Sequence, residues 1–534
     1  MGIIPSSFRL AGTLDNLIDC LRQQTYDILY LVCHGTLKDG QSWLFMEDEN
    51  GQTQRVRGED LAAQIRNLPQ RPLLAVLVSC QSAAFGETIR APSQTISAGE
   101  AGEAPGDPLH TYTALRSLGP RLAEAGISAV LAMHGDLSMP TAATLASEFF
   151  PELLVDGQVD RALAAARFKI RDNADFLLPV LFMRLEDGRI WYKTGFYGES
   201  GERVAFDWEF LIADINAGNC TPILGPGTYE WLLGTHRDIA RTWAGQYDYP
   251  LAPYEVESLP RVAQYLRVKR GERFLHTQLI QDLGKEVLHK HGRDLKPEDQ
   301  AGELSLDELV SRVGERRRDR EPNEAYTLLA QLPFKVYPTA NPGHLLENAL
   351  AAAPAGNGQL KKPRSLIYPW KEQIFKKISL PNREEGYFPS LEQPLVYHLL
   401  GCLEPVESLV LTEDDYFNFL IGATKHKEYV PADVQAALTR PSLLFIGFHI
   451  EEWNFRVLLS YILSYAGTVD VDGRTHIAVQ LRPERKRLLN PPKAYKYLEE
   501  LIAYSQMGVK SSIYWGSAAD FVRELYQNWR EAPR

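Results

Sequence analysis

The sequence predicts an α/β protein of two domains, each organised around a sheet of parallel strands with helices on both faces. Two predicted strands, Tyr26–Gly35 and Leu73–Cys80, contain apolar runs rich in Leu, Ile and Val, as strands covered on both faces usually do. Stretches of helical periodicity separate such runs, which is the arrangement that parallel strands require. A length of 534 residues accommodates more than one domain at roughly 100 to 200 residues each.

Composition and charge exclude several classes of protein. Hydrophobic residues make up 45% of the chain and charged residues 23%, which is ordinary for a folded globular protein. The formal net charge of −11 argues against a general affinity for nucleic acid. No apolar run approaches the roughly 18 residues that span a bilayer, so we expect no membrane association.

The cysteines indicate a reducing compartment. They are odd in number and scattered along the chain without the spacing of a metal site: Cys20, Cys33, Cys80, Cys220 and Cys402. We therefore expect a cytoplasmic protein without a metal site.

The first two predicted strands each end in a residue capable of nucleophilic chemistry. His34 lies at the carboxyl end of the first strand and Cys80 at that of the second, 46 positions later, which leaves room for a crossover helix between adjacent parallel strands. An imidazole beside a thiol can take its proton or lower its pKa, and Gly35 leaves the backbone open beside the histidine. The pair therefore predicts a Cys–His catalytic dyad. The alternative is a buried thiol and an unrelated core histidine.

These residues carry a family resemblance. The segments Asp27–Gly35 and Val76–Ala83 resemble the CHAT family of caspase-like proteases, in which this histidine and this cysteine form the catalytic dyad. Leu122–Met133 and Val159–Arg167 follow in the family's order. The resemblance implies a caspase-like parallel-sheet sandwich over residues 1–200. Family members normally carry another strand or two before the segment that starts at Ala11, so we expect these N-terminal strands to be missing.

The segment Phe85–Pro108 interrupts this domain shortly after Cys80. It is rich in Gly, Ala, Ser, Pro and Glu and has no apolar period, which is typical of a loop. Because long structureless insertions are often functional, it is a candidate activation loop or protease-sensitive segment, with a tolerated surface insertion as the alternative. Beyond it we expect a strand at Ile127–Met133, a helix at Pro140–Phe150 and a strand at Leu177–Met183.

The second domain begins with a predicted helix and a glycine turn. The helix spans Trp208–Ala217 and stops at Gly218-Asn219, a pair suited to a left-handed helix end. The apolar strand Thr221–Leu224 then leads into Gly225-Pro226-Gly227. Glycines after a strand permit a close approach of the backbone to a pyrophosphate, although an ordinary tight turn has the same pattern.

Further stretches resemble the sirtuin-like domains of bacterial defence proteins. They are Phe334–Glu347, Val396–Gly401, Ser408–Tyr416 and Ser442–Phe448. The resemblance implies a Rossmann-like domain over residues 204–534, with a helical insertion at about 259–332. It also implies an NAD site in which Gly225 and Gly227 hold the phosphates, Asn341 contacts the ribose and His398 activates or orients the sugar.

The sequence departs from the family pattern at three positions. Pro226 stands between the two glycines where alanine is usual, and Pro342 follows Asn341 where the family motif continues towards an aspartate. The family histidine directly precedes its glycine, whereas His398 lies two places earlier, on the same face of an extended strand but about 6.6 Å away. A degenerate dinucleotide pocket that binds without hydrolysing is therefore the alternative.

Together the two resemblances imply a prokaryotic immune effector in which a Cys–His peptidase is coupled to an NAD-binding or NAD-hydrolysing domain. Two alternatives are an NAD-depleting hydrolase regulated by the caspase-like domain and a non-catalytic signalling scaffold. We expect NAD or a related nucleotide as ligand, an unidentified protein as substrate, and an oligomer or a defence-system partner. The run Arg316–Arg320 is flanked by Glu315 and Glu321, which favours a solvated helix face over a nucleic-acid site.

Overall fold

A computed structural model describes most of the chain in two compact units, Met1–Lys193 and Thr194–Arg534. The residues that it describes are 12–23, 26–38, 41–68, 71–78, 117–185, 188–191, 193–197, 203–252, 255–296, 304–355, 358–371, 387–425, 429–466, 476–481, 496–501 and 511–532. Within these ranges, none of the helices combines the length and the apolar character needed to cross a membrane.

The first unit contains a four-stranded sheet and a three-stranded sheet. The strands are β1 (Ile28–Val32), β2 (His34–Lys38), β3 (Gln41–Glu47), β4 (Thr53–Arg57), β5 (Leu74–Val78), β6 (Ala129–Met133) and β7 (Pro179–Met183). The larger sheet has the order β1-β5-β6-β7, in which β1, β5 and β6 are parallel and β7 is antiparallel. The smaller sheet is the antiparallel meander β2-β3-β4.

Helices cover both faces of the larger sheet. They span Leu14–Gln23, Gly58–Arg66, Leu118–Glu124, Met139–Asp156 and Val159–Lys169. Successive residues of a strand point to opposite faces, and in β5 Ala75 and Leu77 join one apolar cluster while Leu74 and Val76 join another. This double burial is why the strand reads as a continuous apolar run. It confirms the predicted sandwich around a largely parallel sheet.

The predicted strand Tyr26–Gly35 is divided in the structure. β1 ends at Val32, and the amide of Cys33 donates to the carbonyl of Val78 at 3.3 Å. The chain then leaves the parallel sheet, and His34 begins β2, opposite Phe45 of β3. The apolar run alone does not mark this change of sheet, because β2 continues directly from β1 along the chain.

The second unit is built on a nine-stranded sheet. Its strands are β8 (Gly195–Tyr197), β9 (Arg203–Val204), β10 (Cys220–Leu224), β11 (Val336–Thr339), β12 (Arg364–Ile367), β13 (Leu395–His398), β14 (Ser442–Ile446), β15 (His476–Leu481) and β16 (Ser511–Trp515). Their order is β12-β13-β11-β10-β14-β15-β16-β8-β9, with the first seven parallel and β8 and β9 antiparallel at one edge. This is the predicted Rossmann-like sheet.

Helices account for much of the second unit, and most of them connect its parallel strands. They span Trp208–Ala217, Glu230–Leu233, His236–Gln246, Leu259–Arg270, Glu272–His291, Leu306–Arg320, Ala325–Gln331, Leu345–Ala352, Glu413–Lys425, Ala432–Leu438, Trp453–Ala466 and Ala518–Glu531. The first ends at Gly218 in the left-handed conformation, as its sequence predicts. Helices between β10 and β11 fill the region predicted as a helical insertion.

Candidate functional site

The sequence-predicted residues of the second unit meet at one edge of its sheet. β10 lies between β11 and β14, so later strands of the chain are added on both sides of it. The loop after β10 is therefore at the point where the strand order reverses. Ligands of open α/β sheets bind at such a switch point, beyond the carboxyl ends of the strands. A cleft opens here, and its two halves share Pro226, His236, Ala340, Leu400 and Tyr416.

The glycine turn packs tightly against the end of β14. A Cβ atom on Gly225 or Gly227 would lie 2.6 or 2.8 Å from the carbonyl oxygen of Gly447. The Gly225 amide donates to the Ile446 carbonyl, and the Gly227 amide donates to the Gly447 carbonyl, each at 2.8 Å. Both glycines are therefore needed for close packing between strand ends, and their amides already have partners within the protein.

Asn341 is the buried polar residue that faces the cleft from β11. Its side-chain amide nitrogen donates to Thr228 Oγ1 at 2.7 Å and to Tyr326 Oη at 3.2 Å, and only 3% of the residue is exposed. Its side-chain oxygen is buried and has no hydrogen-bond partner. The amide is thus held by its nitrogen, while its oxygen keeps an unused capacity to accept a hydrogen bond.

His398 ends β13 directly beside Asn341. Its Nδ1 lies 3.0 Å from the Asn341 carbonyl oxygen, and its Nε2 lies 2.7 Å from Oε1 of Glu347. Burial disfavours the charged imidazole, but the negative charges of Cys402 and Glu347 outweigh burial and raise the pKa of His398. The structure therefore brings the predicted pair together, with His398 fully buried and its ring bonded on both sides.

Sequence reasoning missed two neighbours of His398, His344 and Cys402. His344 Nδ1 lies 2.9 Å from Asp307 Oδ2, and this hydrogen bond raises the pKa of His344 to about 10. Burial raises the pKa of the Cys402 thiol, but the imidazoles of His398 and His344 outweigh it and lower the pKa. Cys402 directly follows the glycine of the sirtuin-like stretch, and His344 lies three places after Asn341, so proximity to the motifs was the available signal.

A second group of charged side chains lies on the β14 side of the cleft. Arg237 is bonded to both Glu451 and Glu452, at 3.1 and 2.9 Å. His449 Nε2 lies 2.9 Å from Glu230 Oε1, on the helix that follows the glycine turn. Glu230, Arg237, His449 and Glu452 line this half of the cleft and make it the more highly charged half.

The predicted dyad of the first unit is placed only in part. β1 and β5 are adjacent, parallel and in register, with Val32 opposite Val78. His34 is two positions after Val32 along the chain and is exposed. Cys80 and the segment Phe85–Pro108 lie outside the described residues, so the pairing of thiol and imidazole stays a prediction.

The fold and the cleft define an α/β protein that joins a caspase-like sheet to a Rossmann-like sheet with a switch-point site. Comparison with protein families agrees with both halves. The chain matches the CHAT domain over residues 5–247 and the SIR2-like domain over residues 337–501. It therefore combines a CHAT domain with a SIR2-like domain, as the two sequence resemblances predict. The CHAT match continues beyond the first unit into β8, β9 and β10.

Two curated relatives share the same name. The NAD(+) hydrolase ThsA of Cytobacillus dafuensis is 26% identical over 192 residues, which are 36% of this chain and 33% of that protein. The NAD(+) hydrolase ThsA of Enterococcus faecium is 29% identical over 155 residues, which are 29% of this chain and 27% of that protein. The aligned region thus spans about a third or less of the length of each relative.

Proposed function

We propose that the SIR2-like unit binds NAD in the switch-point cleft and hydrolyses the bond between nicotinamide and ribose. The observation that carries the proposal is Asn341, a residue that lines the cleft and whose buried side-chain oxygen has no hydrogen-bond partner. A buried unsatisfied acceptor costs about 1 to 3 kcal/mol, so its retention calls for a compensating role. The names of the two relatives agree with this substrate.

The reaction consumes NAD and water and yields ADP-ribose, nicotinamide and a proton. The glycosidic bond breaks with its electron pair passing to the nicotinamide ring nitrogen, and the water oxygen bonds to the ribose carbon. The side-chain oxygen of Asn341 supplies an acceptor for a ribose hydroxyl or for the attacking water. The hydrogen bonds that its side-chain nitrogen donates to Thr228 and Tyr326 keep the amide from rotating. Such preorganisation lowers the cost of ordering the site during the reaction.

In this proposal His398 is a positioning residue. Its ring nitrogens face the Asn341 carbonyl and Glu347, and none of its surface is exposed. Its contact with the Asn341 carbonyl holds the backbone of Asn341, and therefore the side-chain amide, in position. Loss of His398 should therefore lower kcat more than it raises KM for NAD, whereas a defect confined to folding would lower the active fraction without changing KM.

The test measures NAD binding by calorimetry and nicotinamide release by chromatography on the full chain. Asn341→Ala should abolish nicotinamide release. Asn348→Ala is the matched control, because Asn348 also carries a hydrogen-bonded side-chain amide, part-buried and 2.8 Å from Ser311, but lies outside the cleft lining. Binding without release in the wild type would favour the non-hydrolysing pocket. No binding, even at high protein concentration and with extract of infected cells, would overturn the NAD assignment.

We further propose that the CHAT unit is a cysteine peptidase with His34 and Cys80 as its dyad. The parallel register of β1 and β5 supports this assignment, because His34 and Cys80 each follow, by two positions, strand-end residues that lie opposite each other. Cys80→Ala and His34→Ala should each abolish peptide cleavage, with cleavage inside Phe85–Pro108 as a readout. Cys20→Ala should leave cleavage unchanged. Cleavage that persists in Cys80→Ala would overturn the dyad.

The combination supports a role as a prokaryotic immune effector whose two activities are coupled. One alternative is an NAD-depleting hydrolase in which the CHAT unit regulates the other unit, and another is a signalling scaffold without turnover. Assays of nicotinamide release by the Cys80→Ala protein separate these cases. Unchanged NAD turnover in that variant favours two independent activities, and altered turnover favours regulation.

A further inference from the structure

A cluster of metal-ligating side chains lies next to the Asn341 backbone. We call it the thiol–imidazole cluster, and it consists of Cys402, His344 and His398, whose potential ligand atoms all lie within 4.8 Å of one another. The residues come from three chain segments: the loop after β11, the end of β13, and the turn after Gly401. Neither the SIR2-like match nor the proposed NAD chemistry requires them to meet.

The outer contacts of the two histidines match those of metal ligands. His344 holds Asp307 through Nδ1 at 2.9 Å, and His398 holds the Asn341 carbonyl through Nδ1 at 3.0 Å. Metal-bound histidines commonly donate one ring N–H to a carboxylate or a backbone carbonyl, which fixes the tautomer and directs the other nitrogen at the ion. In both residues the remaining nitrogen is Nε2.

A buried carboxylate supplies a second, independent observation. Glu347 lies 2.7 Å from His398 Nε2 through Oε1, and the residue is only 8% exposed. Its other oxygen, Oε2, is buried without a hydrogen-bond partner. At 2.7 Å the imidazole and the carboxylate share a hydrogen bond, which an ion bound at Nε2 would replace.

We propose that this cluster binds one divalent transition-metal ion of the zinc type, with Cys402 Sγ and the Nε2 atoms of His344 and His398 as ligands. Thiolate and imidazole ligands in a four-coordinate shell are donors that zinc favours. Tetrahedral zinc places its ligand atoms about 3.3 to 3.6 Å apart, so small side-chain movements complete the site. These three protein ligands leave the fourth position of a tetrahedral zinc shell to a water molecule.

The metal content of the full chain tests the proposal directly. The protein is purified without chelators, and bound metals are measured by elemental analysis. The metal-free protein is then titrated with Co²⁺, for which a cysteine ligand gives a thiolate-to-metal charge-transfer band. The wild type should bind one ion per chain and show this band. Cys402→Ala should lose both, whereas Cys220→Ala, which removes a buried free cysteine of β10, should retain both.

A variant outside the ligand shell protects the test against misfolding. Asp307→Asn keeps every ligand but weakens the hydrogen bond that orients the His344 ring. It should therefore lower Zn²⁺ affinity about 10- to 100-fold. A wild-type chain that takes up neither Zn²⁺ nor Co²⁺ would overturn the proposal, and so would an unchanged cobalt spectrum in Cys402→Ala. Because the readout is metal content, failure of this site is distinct from failure of the NAD assignment.

Discussion

Replacing Asn341 with alanine separates the folding role of this side chain from its role in the cleft. The substitution removes two buried donor contacts, to Thr228 Oγ1 and Tyr326 Oη. The hydroxyls left behind still pair with each other at 3.0 Å, and Thr228 also donates to the Gly225 carbonyl at 2.8 Å. Neither hydroxyl is therefore left without a partner.

The expected loss of stability is small for this reason. Losing two hydrogen bonds lowers the free energy of unfolding by about 1 to 3 kcal/mol. The expected loss lies at the lower end of that range, because the substitution also removes a buried oxygen that has no partner. A domain with about 5 to 15 kcal/mol of folding free energy remains folded after such a loss. Nicotinamide release should nevertheless fall by about a hundredfold or more, as when one preorganised polar group is removed from an active site.

Urea denaturation gives the loss of folding free energy, and a discontinuous assay of nicotinamide gives turnover on the same preparation. Asn348→Ala should lose a similar amount of stability without losing turnover, because it removes one amide contact outside the cleft. Wild-type turnover in Asn341→Ala would refute the assignment of Asn341 to the reaction. A loss of folding free energy far above the expected range would show instead that the amide serves mainly the fold.

Three further outcomes are expected. Gly227→Ala should lower the free energy of unfolding by about 1 to 3 kcal/mol, because the new Cβ meets the end of β14. Gly284→Ala lies in open space on a helix and should raise it by about 1 kcal/mol. Equal urea midpoints for the two variants would contradict this packing argument. Brief alkylation followed by peptide mapping should label Cys80 before the other four cysteines, and uniform labelling would argue against an activated thiolate. Burial lowers the pKa of His449, but the hydrogen bond to Glu230 and its charge outweigh burial and raise the pKa. The His449–Glu230 pair therefore contributes its full folding stability below about pH 6.5, and that contribution is lost as the pH rises through the folded-state pKa. Glu230→Gln should flatten that dependence in thermal melts, and an unchanged slope would exclude the pair as its source.

The sequence determined the features that depend on local periodicity. Apolar runs such as Leu74–Val78 are continuous because both faces of the strand are buried, so their length and composition predict strands without further information. The stop of the helix Trp208–Ala217 at Gly218 follows from the freedom of glycine to adopt a positive φ. The same apolar runs, separated by helical stretches, predicted two domains of the α/β class.

The sequence also singled out Gly225, Gly227, Asn341 and His398 near the ends of predicted strands, but their contacts depended on the tertiary structure. The glycines were predicted to leave room for a ligand, and the structure adds that they leave room for Gly447, which lies 220 positions after Gly227. The burial of His398 against Glu347 likewise follows from the neighbouring positions of β11 and β13 in the sheet.

Only the tertiary structure gathered the thiol–imidazole cluster and divided the strand at Cys33. Cys402 lies 58 positions from His344, so no ligand spacing of a metal motif is present along the chain. The residues meet because β11 and β13 are adjacent in the sheet and the turn after Gly401 follows β13, although β12 separates β11 from β13 along the chain. Periodicity acts over a few residues, whereas the order of strands in a sheet is a property of the whole packed domain, and it is this order that decides which side chains share a site.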